Sequence, residues 1–354
     1  MTEIQSVIIN WYQENKRDLP WRRTKNPYYI WLSEVILQQT RVAQGMSYYE
    51  KFVEKYPHIE NLATANEQDV LATWQGLGYY SRARNLHATA KLIANEFNSV
   101  FPSEYNKIIK LKGVGEYTAA AISSFAFDQS YAVVDGNVFR VLSRVFNMET
   151  PIDSTEGKKQ FTYLANELMD KNQPALFNQA IMEFGALQCV PGTPNCEICP
   201  LILNCEAFKS KKVALLPVKK GKTKIRNRYF LYLVQFDPQK ETLHLRQKTE
   251  NDIWKNMYEF PKMEFDNIKE MQAFCVMNKD KIKSSSELYK HILSHQHLHA
   301  QFILCFDSTF FKSDDSIEIY VSQLESFPLP RLIDRFIEQN QMLFTDKIRI
   351  PNSR

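Results

Sequence analysis

Leu111-Lys112-Gly113-Val114-Gly115-Glu116-Tyr117-Thr118-Ala119 is the stretch on which the fold turns. It joins a helix expected over 103–111, capped near Ser103, to another that begins at about Glu116. The chain has only ten glycines, and five of them, Gly76, Gly78, Gly113, Gly115 and Gly136, sit at or near expected helix junctions. Glycines at both corners of the 111–119 hairpin are expected to take φ > 0 and to leave adjacent N–H groups free for an anion. A G-V-G between two helices is equally an ordinary tight turn. Outward from the hairpin, residues 1 to about 210 read as helical. Asn26-Pro27 forms an N-cap with proline at the first position of an apolar helix running through Val42. Further helices are expected at 58–71, 81–97, 116–127, 137–147, 156–171 and 174–187.

Two carboxylates stand out from this helical pattern. Glu34 lies in Ser33-Glu34-Val35-Ile36-Leu37-Gln38-Gln39-Thr40, and three of its four helical neighbours, Ile30, Trp31, Leu37 and Gln38, are apolar. Such a glutamate either snorkels to solvent or finds a partner, or it is a desolvated acid able to deliver a proton near neutral pH. Asp135, in Val134-Asp135-Gly136-Asn137-Val138, is placed to cap the following helix. It could also stay ionised under the helix N-terminal N–H groups and complement a protonated Glu34. Two carboxyl groups in opposite protonation states are what cleavage of a glycosidic bond requires.

Four of the six cysteines, Cys189, Cys196, Cys199 and Cys205, follow a C-x6-C-x2-C-x5-C spacing. Clustered thiols without an export signal point to a soft metal centre rather than to disulfides. Structural zinc usually takes two knuckles, so a four-thiolate iron–sulfur cluster fits the single C-x2-C better, with zinc as the alternative. From Lys209 to Arg228, nine of twenty residues are Lys or Arg and none is acidic, which marks a basic linker at 211–227, either solvated or in contact with phosphates. Beyond it the pattern changes to the short runs RYFLYLVQF, TLHLRQ, HAQFILCF and SIEIYVSQL, with helices near 267–279 and 329–341, as in a separate α+β domain over 228–354. His295, His297 and His299 alternate there and read as a solvated strand face, with a metal site as the alternative.

The whole chain, 354 residues with 44% apolar content, is large enough for two domains. Its net charge of +4 is too small for a globally polyanion-seeking protein, so any nucleic-acid surface is local. No apolar run approaches the ~20 residues of a membrane span, and a cytoplasmic protein is expected.

Taken together, the hairpin, the V-D-G-N-V segment, S-E-V-I-L-Q-Q-T and the cysteine loop resemble the endonuclease III superfamily, and within it the MutY-type adenine DNA glycosylases, over about residues 1–208. The fold this implies is multidomain: an all-α helix-hairpin-helix domain (1–210, hairpin 111–119, cluster loop 189–205) followed by an α+β Nudix-like domain (228–354). The cofactor it implies is a [4Fe-4S] cluster on the four cysteines. Lyase-competent members carry a lysine two residues beyond the second hairpin glycine. Tyr117 stands there in this chain, and a phenol cannot form a Schiff base. The resemblance therefore implies a monofunctional glycosylase, acting as a monomer on adenine opposite 8-oxoguanine or guanine in duplex DNA. Glu34 would protonate the extruded adenine and Asp135 would stabilise the sugar cation, with Tyr117 and Asn137 as polar support. Trp21, Arg22 and Gln179 resemble residues of the adenine pocket. Gln39 and Tyr79 match wedge residues that fill the gap left by extrusion. Lys112, Gly113 and Gly115 would hold phosphate, the more so because no Lys or Arg lies between Cys189 and Cys196.

In the C-terminal domain, Trp254-Lys255-Asn256-Met257-Tyr258-Glu259-Phe260-Pro261 looks like the module that reads 8-oxoguanine. KMEFDNIKEMQAF lacks the acidic box of a hydrolase, which implies recognition without hydrolysis. Leu293-Ser294-His295 aligns with a Phe-Ser-His loop, with Leu293 a departure from Phe and Ser294 keeping its hydrogen-bonding capacity. Two rival readings are an oxidised-pyrimidine or thymine-mismatch glycosylase of the same superfamily, and a non-catalytic cluster-bearing DNA-binding protein.

Overall fold

Asn26 opens a helix as its N-cap, its side chain accepting from the Tyr28 N–H at 2.9 Å, with Pro27 in the first turn. This computed structural model describes residues 3–221, 225–305 and 315–344. Residues 222–224 of the basic run, Phe306 of the HAQFILCF run and residues 345–354 of the expected second domain lie outside the described residues.

The helices are α1 (Glu3–Asn15), α2 (Pro27–Leu37), α3 (Val42–Lys55), α4 (Ile59–Thr64), α5 (Glu67–Thr73), α6 (Ser81–Glu96), α7 (Tyr105–Ile108), α8 (Glu116–Phe127), α9 (Gly136–Val145), α10 (Thr155–Leu168), α11 (Pro174–Leu187) and α12 (Glu206–Lys209). Three expectations are corrected. The run from Pro27 to Val42 breaks after Leu37, where Gln39 takes a left-handed conformation (φ 56) and reverses the chain into α3. The helix expected over 58–71 is two helices, because Asn66 starts a new one by accepting from the Gln68 N–H. The helix expected over 103–111 shrinks to α7, which Ser103 does not cap; the Ser103 carbonyl instead accepts from Gln129.

By compactness the chain forms two units, Met1–Thr64 with Asn85–Gly221, and Ala65–Arg84 with Lys222–Arg354. The sequence reading placed 65–84 in the first domain and began a linker at 211, whereas part of that stretch is held in the first unit. Leu216 is buried and the carbonyls of Val213 and Leu216 accept from Arg144. One apolar residue inside the basic run, Leu216, draws it down, while its neighbour Leu215 stays exposed.

The core of the first unit lies among α1, α9, α10 and α11, where Ile8, Tyr12, Val138, Val141, Leu142, Phe161, Phe177, Ile181 and Phe184 are almost fully buried. Each such side chain contributes about 1.5–3 kcal/mol on burial. α2 packs on α3 and on α8.

In the second unit a five-stranded sheet runs β5 (Lys262–Phe265), β1 (Arg226–Val234), β8 (Gln296–Cys305), β6 (Ile282–Ser285), with β7 (Tyr289–Ile292) also paired to β8. β1 and β8 are parallel, in register from Arg226↔Gln296 to Val234↔Leu304. The continuous burial of residues 230–234 follows, since both sheet faces are covered. Helix α13 (Ile268–Met277) lays Met271 against Leu231, Leu233 and Ile303. On the opposite side chains, Phe302 stacks on Phe336 of α14 (Arg331–Gln339) at 3.9 Å, and Phe336 also meets Phe260. A second sheet joins β2 (Phe236–Asp237), β3 (Thr242–Gln247), β4 (Tyr258–Glu259) and β9 (Ser316–Tyr320). The SIEIYVSQL run is strand only to Tyr320; Val321–Ser326 is a 3-10 helix.

Candidate active site

Glu34 sits in the C-terminal half of α2 with 8% of its surface exposed. Burial pushes its carboxyl up to about 7; a hydrogen bond from the Tyr117 hydroxyl opposes the rise, and the charge of Asp135 adds to it. Asp135 caps α9, its Oδ1 accepting from the Val138 N–H at 2.8 Å and its Oδ2 from Asn137 Nδ2 at 2.7 Å. Those donors favour the carboxylate, yet burial outweighs them and raises Asp135 above the usual range, opposite to the direction expected for a carboxylate at a helix N-terminus. Both carboxyls line one cavity of about 470 Å³, together with Trp21, Arg22, Gln39, Tyr117, Asn137 and Gln179. Eight of the residues singled out in the sequence therefore converge.

One wall of the cavity was not legible in the sequence. Glu183, buried on α11, accepts from Arg17 and Arg22 at 2.7 Å each. Burial alone would raise this carboxyl, but the two arginines hold it at about 2. It fixes Arg22, as the Tyr12 hydroxyl fixes Gln179 by donating to its Oε1 at 2.9 Å. The wall is thus a fixed ion pair, while Glu34 has a phenol for company.

The hairpin lies in the same unit. Gly113 has φ 81, and a Cβ there would come within 2.7 Å of Asn85 Cβ, so glycine is required twice over. Gly115 corrects the expectation of two left-handed corners: its φ is −97 and nothing surrounds a Cβ built on it. It is the N-cap of α8 and offers no side chain to the free N–H groups. Lys112 is exposed, and its carbonyl accepts from Thr89.

Cys189, Cys196, Cys199 and Cys205 line one small cavity of about 30 Å³ with Arg144, Phe184, Leu201 and other apolar residues. Burial raises the Cys196, Cys199 and Cys205 thiols, and the nearby Cys189 adds to this. Two buried arginines organise the loop. Arg140 donates to the carbonyls of Cys189 (2.7 Å) and Gly185 (2.6 Å) and to Asn137 Oδ1 (2.8 Å). Arg144 donates to Cys189 Sγ at 3.4 Å and to the Val190 carbonyl. Among the described residues no group of three or more His, Cys, Asp or Glu is arranged to hold a metal ion.

The other singled-out residues belong to the second unit. Tyr79 is 44% exposed with φ 49. Ser294 and His295 are exposed and meet each other at 3.1 Å, in a turn closed by Leu293 N–H to the Gln296 carbonyl. His295 precedes the strand, and His299 stacks on Tyr229 at 4.9 Å.

A family model described as HhH-GPD superfamily base excision DNA repair protein matches residues 32–167, and a NUDIX domain model matches 231–339. The adenine DNA glycosylase of Buchnera aphidicola subsp. Schizaphis graminum is 35% identical over 312 residues, covering 87% of this chain and 88% of that protein. The chain belongs to the adenine DNA glycosylase family. The human adenine DNA glycosylase is 42% identical over 216 residues, 58% of this chain and 40% of that protein. A solved structure of a thermostable thymine-DNA glycosylase is 30% identical, with a TM-score of 0.55, over 58% of this chain and 95% of the other. For a member of the adenine DNA glycosylase family, the expected two-domain plan is met: a helix-hairpin-helix domain, then a sheet-containing Nudix-like domain.

Proposed function

We propose that this protein hydrolyses the N-glycosidic bond of adenine mispaired with 8-oxoguanine or guanine in duplex DNA, as a monofunctional, monomeric, cytoplasmic enzyme. The observation that carries the reading is a pair of carboxyls lining one cavity with unequal support: Glu34 has the Tyr117 hydroxyl beside it, whereas Asp135 accepts from the Val138 N–H and from Asn137 Nδ2. The less supported acid holds its proton up to about pH 7, and on Asp135 the donors from Val138 and Asn137 favour the charged form against the burial that raises it, so that in this reading Asp135 is the one to carry the charge. In this reading Glu34 delivers its proton to N7 of the extruded base, so that the base leaves neutral. Asp135 faces the sugar cation until water adds. Tyr117 orients Glu34, and Asn137 orients Asp135.

Trp21, Arg22 and Gln179 hold the base, Gln39 and Tyr79 fill the space it vacates, and Ser294 with His295 reads the opposite base. Phosphates are held by the N–H groups at Gly113 and Gly115 and by Lys112. Cys189, Cys196, Cys199 and Cys205 fit a [4Fe-4S] cluster, because all four thiols line one cavity and their single C-x2-C is unlike the paired knuckles of structural zinc. Bound there, the cluster would supply a rigid, redox-capable anchor for the 189–205 loop.

The test uses three duplexes: adenine opposite 8-oxoguanine, thymine glycol opposite adenine, and thymine opposite guanine. Base release is expected from the first, with strand breaks that need added alkali and with binding retained but excision lost in Glu34→Gln. Release of thymine from the third would favour the thymine-mismatch reading, which the likeness to a thymine-DNA glycosylase supports over 58% of the chain. Strand scission without alkali would contradict the role given to Tyr117.

A further inference from the structure

Ala65–Arg84 precedes the C-terminal domain by well over a hundred residues, yet belongs to the same compact unit. The segment carries Tyr79 on the tight loop between α5 and α6. Within that loop Gly76, Gly78 and Tyr79 all have φ > 0, and Trp74 Nε1 donates to the Gly78 carbonyl at 2.9 Å. A loop so short, ending on an exposed tyrosine, takes its direction from whatever holds its two flanks.

Both flanks are held by one turn of the C-terminal domain. On the α5 side, Asn256 Nδ2 donates to Glu67 Oε1 at 2.6 Å, and Gln68 Nε2 donates to the Asn256 carbonyl at 3.4 Å. On the α6 side, Arg84 Nη1 donates to the Lys255 carbonyl at 2.7 Å. The turn itself is built under strain: Trp254 and Asn256 take φ of 61 and 64, a conformation costly for a bulky residue and kept where the surroundings enforce it. Trp254 is buried against His291, and the Asn256 N–H donates to the Lys248 carbonyl at 2.6 Å, so the turn is anchored in its own domain.

We infer that the Trp254–Asn256 turn is a brace for the Tyr79 loop, with Glu67, Arg84 and Asn256 acting as positioning residues for base extrusion. The inference rests on the wedge role proposed for Tyr79. It links the domain proposed to read the opposite base with the step that extrudes the adenine, since the same turn fixes both flanks of the wedge. Arg84, half-buried and bound to a backbone carbonyl, is spent on this contact and is not a free phosphate ligand.

The experiment uses the full chain, a duplex with adenine opposite 8-oxoguanine, and 2-aminopurine beside the adenine to report unstacking. Arg84→Met and Asn256→Ala are each expected to slow the unstacking signal and single-turnover excision about ten-fold, the low end for loss of a hydrogen bond to a charged group. In a Tyr79→Ala background the same changes should add nothing, because they act through Tyr79. The paired exchange Glu67→Gln with Asn256→Asp returns a donor and an acceptor to the same contact and should recover most of the lost rate. Additive losses with Tyr79→Ala, or slowed excision with normal unstacking, would overturn the brace, and urea midpoints identify any variant that merely unfolds. A wild-type chain that releases no adenine would instead defeat the proposed function.

Discussion

At the scale of single residues, the chemistry proposed for Glu34 and the stability of the protein pull on that residue in opposite directions. An ordinary glutamate titrates at 4.5, and burial in the folded protein moves Glu34 to about 7. A group raised on folding keeps its stability contribution below the unfolded value and loses it as pH rises through the folded one. Between about pH 4.5 and 7 the unfolded chain therefore releases this proton while the folded protein keeps it, so stability falls as pH rises, by about 3 kcal/mol once pH has passed 7. Glu34→Gln removes that cost. It is expected to unfold at the same urea concentration as the wild type near pH 4, and at a clearly higher one at pH 8. Equal midpoints at both pH values would mean that Glu34 is ionised without penalty and is no proton donor. In the wild type, single-turnover excision should fall as pH rises through about 7, since the proton that leaves is the one the base needs.

Secondary-structure elements set how precisely the two carboxyls are held, and here α9 and α11 matter most. Gly185 of α11 lies so close to α9 that a Cβ would stand 2.7 Å from Asn137 Cβ and 2.8 Å from its carbonyl oxygen. Asn137 in turn donates to Asp135, and Arg140 clamps Asn137, Gly185 and Cys189 together. Gly185→Ala is expected to cost about 1–3 kcal/mol by urea titration, the range for overpacking. It should also slow excision, because Asn137 is displaced from Asp135; unchanged excision with the stability loss would separate the helix contact from the site. What could be foreseen in the sequence follows the same division. Asp135 as a cap, Asn26 as a cap, and Glu34 among apolar neighbours depend on spacings of two to four residues, which a sequence displays. Glu183 with Arg17 and Arg22, and Arg140 and Arg144 with the cysteine loop, join residues 45 to 166 positions apart, and nothing local marks them. The left-handed corner expected at Gly115 failed for a related reason: glycine there serves openness rather than φ, and composition does not distinguish the two.

For the whole molecule, the question is how a chain of net charge +4 grips a polyanion. Counting basic residues overstates the answer. In the first unit Lys209 pairs with Glu206, Lys212 with Glu149 and Lys107 with Glu104. These exposed pairs are weak, yet each must be traded before its lysine can meet a phosphate. Arg140 and Arg144 of α9 are buried against the cysteine loop, and Arg17 and Arg22 are committed to Glu183. Lys112 on the hairpin and Lys219 and Lys220 midway along the basic run are among the lysines in no ion pair among the described residues, as are Lys110 and Lys211. N–H groups at the hairpin bind phosphate through dipoles and release few counterions, so affinity should depend only modestly on salt. If Lys112, Lys219 and Lys220 are the lysines that meet phosphates, the slope of log K against log[salt] is expected to be about −3, each neutralised phosphate adding about −0.9. Lys112→Ala should flatten that slope by about one, and Lys219→Ala with Lys220→Ala by about two, in titrations of a labelled duplex between low and physiological salt. If the double change leaves the slope where it was, the basic run is a solvated connector and the grip belongs to the hairpin alone. A slope of about −5 would instead mean that about three further lysines reach phosphates, either the paired Lys107, Lys209 and Lys212 leaving their carboxylates or unpaired ones such as Lys110 and Lys211.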